Sequence, residues 1–321
     1  MAEPVDPAGD PARDPSISPE LAAVIEAIRG MGLNDPGLTL EERSKLLVLD
    51  VAAPEGTSVE VVEVAPGVPG EWVVAPGADA DRAVLHLHGG AYTGGGPGSH
   101  RGLAAELSAG ARGAVLVLDY RLAPAWPFPA ALDDAVAAYR WLTGPARGID
   151  PSSLVVTGDS AGGGLAVALL VALRDAGDAL PAGAALLSPW TDLALTGDSH
   201  RSEDGRDPMC ATGTLAQSVE AYVPPGVATT DPRVSPLYAD LSGLPPLLVH
   251  VGEVEVLRDD AVGLAERARA AGTEVELLVA PGMVHVWHLF AGVVPEATRD
   301  LATVVAWIAA RQRADGTEAP A

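Results

Sequence analysis

The chain of 321 residues contains one cysteine, Cys210. An internal disulfide is therefore excluded, and so is a metal cluster built from cysteines. Lysine occurs once, as Lys45, and the formal net charge is −23. Such a surface lacks the basic patch that nucleic acid or an anionic membrane requires, so neither is expected as a partner. The acidic excess itself is read as solubilising. Long hydrophobic runs are missing too. The longest, LAVALLVAL at 165–173, falls far short of the roughly 20 residues that span a bilayer. The opening MAEPVDPAGDPARDP has neither the basic stretch nor the apolar segment of a secretory leader. A cytoplasmic location is expected. Residues 1–17, rich in proline, aspartate and glycine, read as disordered, and residues 18–321 as one domain.

What is present has a clear rhythm. PELAAVIEAIRGMG (19–32) has helical spacing behind Ser18, and TLEERSKLL (39–47) reads as a short helix with Thr39 and Glu42 as a capping box. SVEVVEV (58–64) and EWVVA (71–75) alternate like half-buried antiparallel strands. Short apolar runs at 82–88, 114–120, 153–158, 183–189, 246–252 and 274–280 then take turns with helical stretches at 100–110, 129–142, 161–177, 259–272 and 298–313. Continuous apolar runs are the mark of parallel strands covered on both faces, so an α/β fold is expected. Residues 194–225 break the rhythm, apart from a helix-like TLAQSVEAYV at 214–223. Insertions of that length usually cover or form binding sites.

GDSAG at 158–162 fits G-x-S-x-G, with a strand before it and a helix after it. That context makes Ser160 a candidate nucleophile on a sharp strand-to-helix turn. A second glycine-rich stretch, VLHLHGGAYTGGG at 84–96, also follows a strand. It has no lysine for a Walker-type phosphate cradle. It fits poorly as a dinucleotide loop, which should open a helix directly. Paired with a serine nucleophile, it instead offers backbone donors to an oxyanion. Gly89, Gly90 and Ala161 are the expected donors.

Seven histidines compete as the general base. His86 and His88 lie in the glycine-loop strand, with His88 read as a brace. His100 and His200 are read as solvated loop residues, and His250 as a core histidine. His285 and His288 remain, in PGMVHVWHLF (281–290) after the last strand; His285, first after the turn, is preferred. The orienting acid belongs between serine and histidine in chain order. GEVEVLRDDA (252–261) offers Glu253, Glu255, Asp259 and Asp260; the last two could equally cap the next helix, and Glu255, three residues past the strand-ending Gly252, is preferred over Asp259.

Taken in order, HGGAY, YRLAP, FPAALDD, GDSAGG, SPWTDL, DPRVSPLYADLSGLPP, GEVEVLRDD and GMVHVW resemble the bacterial hormone-sensitive-lipase-like branch of the α/β-hydrolases, over nearly the whole chain from about residue 20. The resemblance implies a mostly parallel eight-stranded sheet flanked by helices. It also implies a helical cap, formed here by about 18–47 and 194–225. It implies a cofactor-free carboxylesterase acting on small-molecule esters with short to medium acyl chains, through Ser160, His285 and Glu255. Alternatives are lactone hydrolysis, deacetylation of a small metabolite, or a non-catalytic receptor; a homodimer is left open. Tyr92, Trp190, Trp287 and Tyr222 are expected to line the substrate pocket, with Trp126 a further candidate. Three positions depart from the family pattern: glutamate at 255 where aspartate is commoner, Ala91 for the third loop glycine, and Ala125 after YRLAP. Arg121, Asp133 and Asp134 read as fold-bracing ion-pair residues.

Overall fold

The structure, a computed structural model, describes residues 9–14 and 16–312. All eight apolar runs become strands: β1 (Ser58–Ala65), β2 (Val68–Val74), β3 (Asp79–Leu87), β4 (Gly113–Leu118), β5 (Leu154–Asp159), β6 (Gly183–Leu187), β7 (Leu247–Val254) and β8 (Val275–Val284). They form one sheet in the order β1-β2-β4-β3-β5-β6-β7-β8. The β1–β2 and β2–β4 pairs are antiparallel and all others parallel. The helices are α1 (Pro19–Met31), α2 (Leu40–Leu47), α3 (Pro97–Ala111), α4 (Ala130–Thr143), α5 (Ala161–Ala176), α6 (Ser199–Ser202), α7 (Thr212–Tyr222), α8 (Arg258–Ala270) and α9 (Pro295–Arg311). Only the one-turn α6 has no counterpart in the sequence reading.

The continuous apolar runs have a simple cause. Successive strand residues point to opposite faces, and here both faces are covered. Val84, Val115 and Val155 pack beneath Leu103 and Leu107 of α3 and Leu301, Val304 and Ile308 of α9. Their neighbours Leu85, Leu116 and Val156 face Leu132 of α4, Leu165 and Leu169 of α5 and Leu264 of α8. Helix α5 is buried along most of its length, which explains its unbroken apolar stretch. No described helix is long and apolar enough to cross a membrane.

The N-terminal helices sit apart from these layers. The Ser18 hydroxyl caps α1 and donates to Glu296 Oε2 at 2.7 Å, tying α1 to the start of α9. Thr39 and Glu42 form the expected capping box on α2. Residues 1–8 and 15 of the segment read as disordered lie outside the described residues. The described part holds a short 3₁₀ turn at Pro11–Arg13, and Asp10 accepts from Arg29 at 2.8 Å. An ion pair with α1 thus holds this stretch. Arg121 pairs with Asp134 at 2.6 Å, the bracing role expected of them.

Because β3, β5, β7 and β8 run parallel, the segments leaving them emerge along one edge of the sheet. That edge receives the glycine loop, Ser160, Glu255 and His285. Ligand sites of open α/β sheets lie at the carboxyl ends of the strands.

Candidate active site

Ser160 joins β5 to α5 with φ +53° and ψ −122°, a conformation that L-residues rarely adopt and that persists only where the surroundings enforce it. They do so here. Ser160 N–H donates to Leu187 O at 2.9 Å, and its carbonyl accepts from Trp190 N–H at 2.8 Å. Gly162 permits the turn: a Cβ there would lie 1.9 Å from Leu87 O. The serine faces a cavity of about 340 Å³ whose walls also include His285.

His285 follows β8 and is buried. Its Nδ1 lies 2.8 Å from Glu255 Oε2. A carboxylate only accepts, so Nδ1 carries the proton and Nε2 keeps its lone pair. Burial pushes the imidazole pKa down, but the neighbouring Cys210 and Glu255 outweigh it and hold the pKa well above 6.5. Glu255 is fully buried, and its other oxygen accepts from Gly252 N–H at 2.6 Å and Ser188 Oγ at 2.7 Å. Ser188 Oγ in turn accepts from Val286 N–H at 3.1 Å. Sequence reasoning missed this serine, although it stands in the quoted SPWTDL; its left-handed φ of +49° has no signature in that motif.

The competing residues go elsewhere. Asp259 accepts from Ser199 N–H at 2.9 Å and caps the 198–202 turn. His288 Nε2 meets His250 Nδ1 at 3.1 Å, and its ring packs on Trp287. His250 is buried as expected. His100 and His200 are not solvated, as expected of loop residues, but buried. Each is drawn in by a buried carboxylate: His100 by Asp159 at 3.1 Å and His200 by Asp260 at 3.0 Å.

The glycine loop differs from expectation at one donor. Gly89 N–H points at Asp159 Oδ1, 3.0 Å away, so it is already engaged. A Cβ on Gly89 would lie 2.3 Å from the same carboxylate, which is why glycine is needed here. No protein acceptor is found among the described residues for the N–H groups of Gly90, Ala91 or Ala161. His88 braces the loop as expected. Its Nδ1–H donates to Gly89 O at 2.7 Å, its ring stacks on Tyr120, and burial pushes its pKa down to about 3, keeping it neutral.

The aromatic residues expected in the pocket are core instead. Tyr92 stacks on Tyr222 with ring centroids 3.9 Å apart, Trp190 donates to Asp192 O, and Trp287 donates to Asp300 Oδ2 at 3.0 Å. All four are buried and none lines the cavity, while Trp126 is half exposed. Their N–H and O–H groups make them look like binding residues, but buried aromatics serve packing equally well. Apolar side chains in the cavity wall include Ile28, Leu33 and Leu47 on the N-terminal side, Met209 and Leu215 from the 194–225 segment, and Leu289 and Phe290 after β8.

Comparison with known proteins gives the family. The Abhydrolase_3 family, of alpha/beta hydrolase fold, matches residues 84–289. An acetyl-hydrolase of Streptomyces hygroscopicus is 48% identical over 241 residues, 74% of this chain and 78% of that protein. An esterase of Acinetobacter venetianus is 37% identical over 238 residues, again 74% and 78%. Among solved structures, an esterase from the bacterial hormone-sensitive lipase family has a TM-score of 0.87 at 43% identity, covering 92% of this chain and 99% of that one. EstE5 soaked with p-nitrophenyl butyrate has a TM-score of 0.86 at 40% identity, covering 92% and 100%. The chain belongs to the α/β-hydrolases, in their hormone-sensitive-lipase-like carboxylesterase family, and is a hydrolase acting on ester bonds.

Proposed function

We propose that the chain is a serine carboxylesterase for short- to medium-chain acyl esters, with Ser160 as nucleophile, His285 as base and Glu255 as orienting acid. Nε2 of His285 takes the Ser160 proton as Oγ attacks the ester carbonyl. It then returns that proton to the leaving alcohol, and water repeats the cycle on the acyl-enzyme. Glu255 keeps Nδ1 protonated and stabilises the imidazolium. The oxyanion is received by the uncommitted N–H groups of Gly90, Ala91 and Ala161, at the amino end of α5 where the helix dipole adds to them. Gly89, whose N–H serves Asp159, sets the loop's position. Helices α1 and α2, with residues 194–225, act as a cap whose aliphatic side chains hold the acyl chain.

The observation that carries this reading is the Glu255–His285 contact, 2.8 Å long, in a cavity that also holds a serine on a strained turn. The short-chain preference is supported by the relatives, one an acetyl-hydrolase and one a structure soaked with a butyrate ester, and by a cavity of about 340 Å³. A p-nitrophenyl ester series from acetate to palmitate tests it. Turnover should peak at the short end, and Ser160→Ala should lose about 10⁴-fold or more. A maximum at palmitate would make the protein a lipase, and absence of turnover on every ester would favour a receptor.

A further inference from the structure

Cys210, the only thiol in the chain, borders the same cavity as His285. One imidazole nitrogen of His285, the Cys210 sulfur and a carboxylate oxygen of Asp207 all lie within 4.8 Å of one another. The ester-hydrolysis scheme uses neither Cys210 nor Asp207. Asp207 is 1% exposed and has no arginine or lysine partner among the described residues. It is nonetheless held firmly, accepting from Met209 N–H at 2.9 Å, Cys210 N–H at 3.0 Å and Val256 N–H at 3.1 Å. Three hydrogen bonds leave a carboxylate about one lone pair short of saturation. A buried carboxylate without a cation is costly.

We propose that Asp207, Cys210 and His285 form an inhibitory site for a thiophilic divalent cation, zinc being the best match. Thiolate, imidazole and carboxylate are the three ligand types zinc combines, and a tetrahedral ion sets its ligand atoms about 3.5 Å apart. A closure of roughly 1 Å from the present separations is therefore enough. A fourth position is left for water. Binding forms one bond to each ligand and releases the thiol proton, with no change of oxidation state. The charges of thiolate and carboxylate cancel those of the ion. A metal on His285 removes the imidazole from proton transfer. The cap would thus carry a brake for the site it covers.

Cobalt(II) reports on this directly, because a thiolate-to-cobalt charge-transfer band can come only from Cys210. Titration of the metal-free protein with cobalt(II) should produce that band, and one equivalent of zinc should abolish it. Zinc should also inhibit p-nitrophenyl butyrate hydrolysis, with reversal by chelator. Cys210→Ala and Asp207→Asn should each weaken zinc inhibition by about tenfold or more relative to the variant's own metal-free rate. Absence of the band at saturating cobalt, or equal zinc sensitivity in both variants and the parent, overturns the proposal. The band is independent of turnover, so a protein that shows it but hydrolyses no ester keeps the metal site and loses the esterase reading.

Discussion

At the scale of single residues, the choice between Glu255 and Asp259 rests on reach. The longer glutamate side chain leaves β7 and bends back so that one oxygen is held by Gly252 and Ser188 while the other faces His285. Asp259 is spent on Ser199. The consequence is a pH profile. His285 must be neutral to accept a proton, and its pKa is held above 6.5 despite burial, by Cys210 and Glu255. The acid limb of kcat/KM should therefore lie above pH 6.5, with activity falling as pH drops through it. Glu255→Gln removes the carboxylate charge that raises this pKa, so the limb should move to lower pH while kcat falls by about 10³–10⁴-fold. Asp259→Asn should leave the limb in place. The reverse pattern, a limb moved by the aspartate variant alone, would reassign the acid. Chain order and distance from Gly252 were enough to put Glu255 first. The Gly89 donor was beyond such reasoning, because the carboxylate that claims it belongs to Asp159, 70 residues away.

Elements were legible wherever burial is periodic or complete. The eight strands and the longer helices announce themselves because a covered parallel sheet demands apolar residues at successive positions, and GDSAG reads as a turn because only glycine fits at 162 beside Leu87 O. The aromatic residues were misassigned for the same reason that they are conspicuous: Trp190 and Tyr92 look alike in a core and in a pocket. Their roles separate in experiment. Trp190→Ala should cost roughly 3–5 kcal/mol of stability, as removal of a buried aromatic does, and leave the acyl-chain preference of the folded protein unchanged. Met209→Trp, which adds bulk to the cavity wall, should shift the p-nitrophenyl ester preference toward acetate. Thermal unfolding and the ester series measure the two effects separately. A change of chain preference in the tryptophan variant would return Trp190 to the pocket.

Across the whole molecule, the cavity is made by parts of the chain that have little else in common: two N-terminal helices, the 194–225 segment and the sheet edge. Asn34 donates to Asp207 O at 3.0 Å across the first two, and beside it stands Arg43, only 7% exposed. Its Nε donates to Leu33 O at 2.9 Å, one terminal nitrogen to Gln217 Oε1 of α7 at 2.9 Å, and the other to Asp35 O at 3.1 Å. Among the described residues no carboxylate pairs with it, and burial pushes its pKa down. The guanidinium thus satisfies carbonyls at the α1–α2 turn while reaching across to α7, a use of its planar donor fork that lysine could not reproduce. Arg43→Met keeps the length and apolar stem but leaves those carbonyls unpaired, at about 1–3 kcal/mol each where water cannot replace the lost donor. That loss falls on the N-terminal helices and α7, because Arg43 makes no hydrogen bond to the sheet or its covering helices among the described residues. Limited proteolysis should therefore cut the variant within 33–39 at concentrations that spare the parent, and KM for p-nitrophenyl butyrate should rise with kcat much less affected. Equal resistance to protease together with unchanged KM would mean that the two halves hold the cavity closed without this arginine.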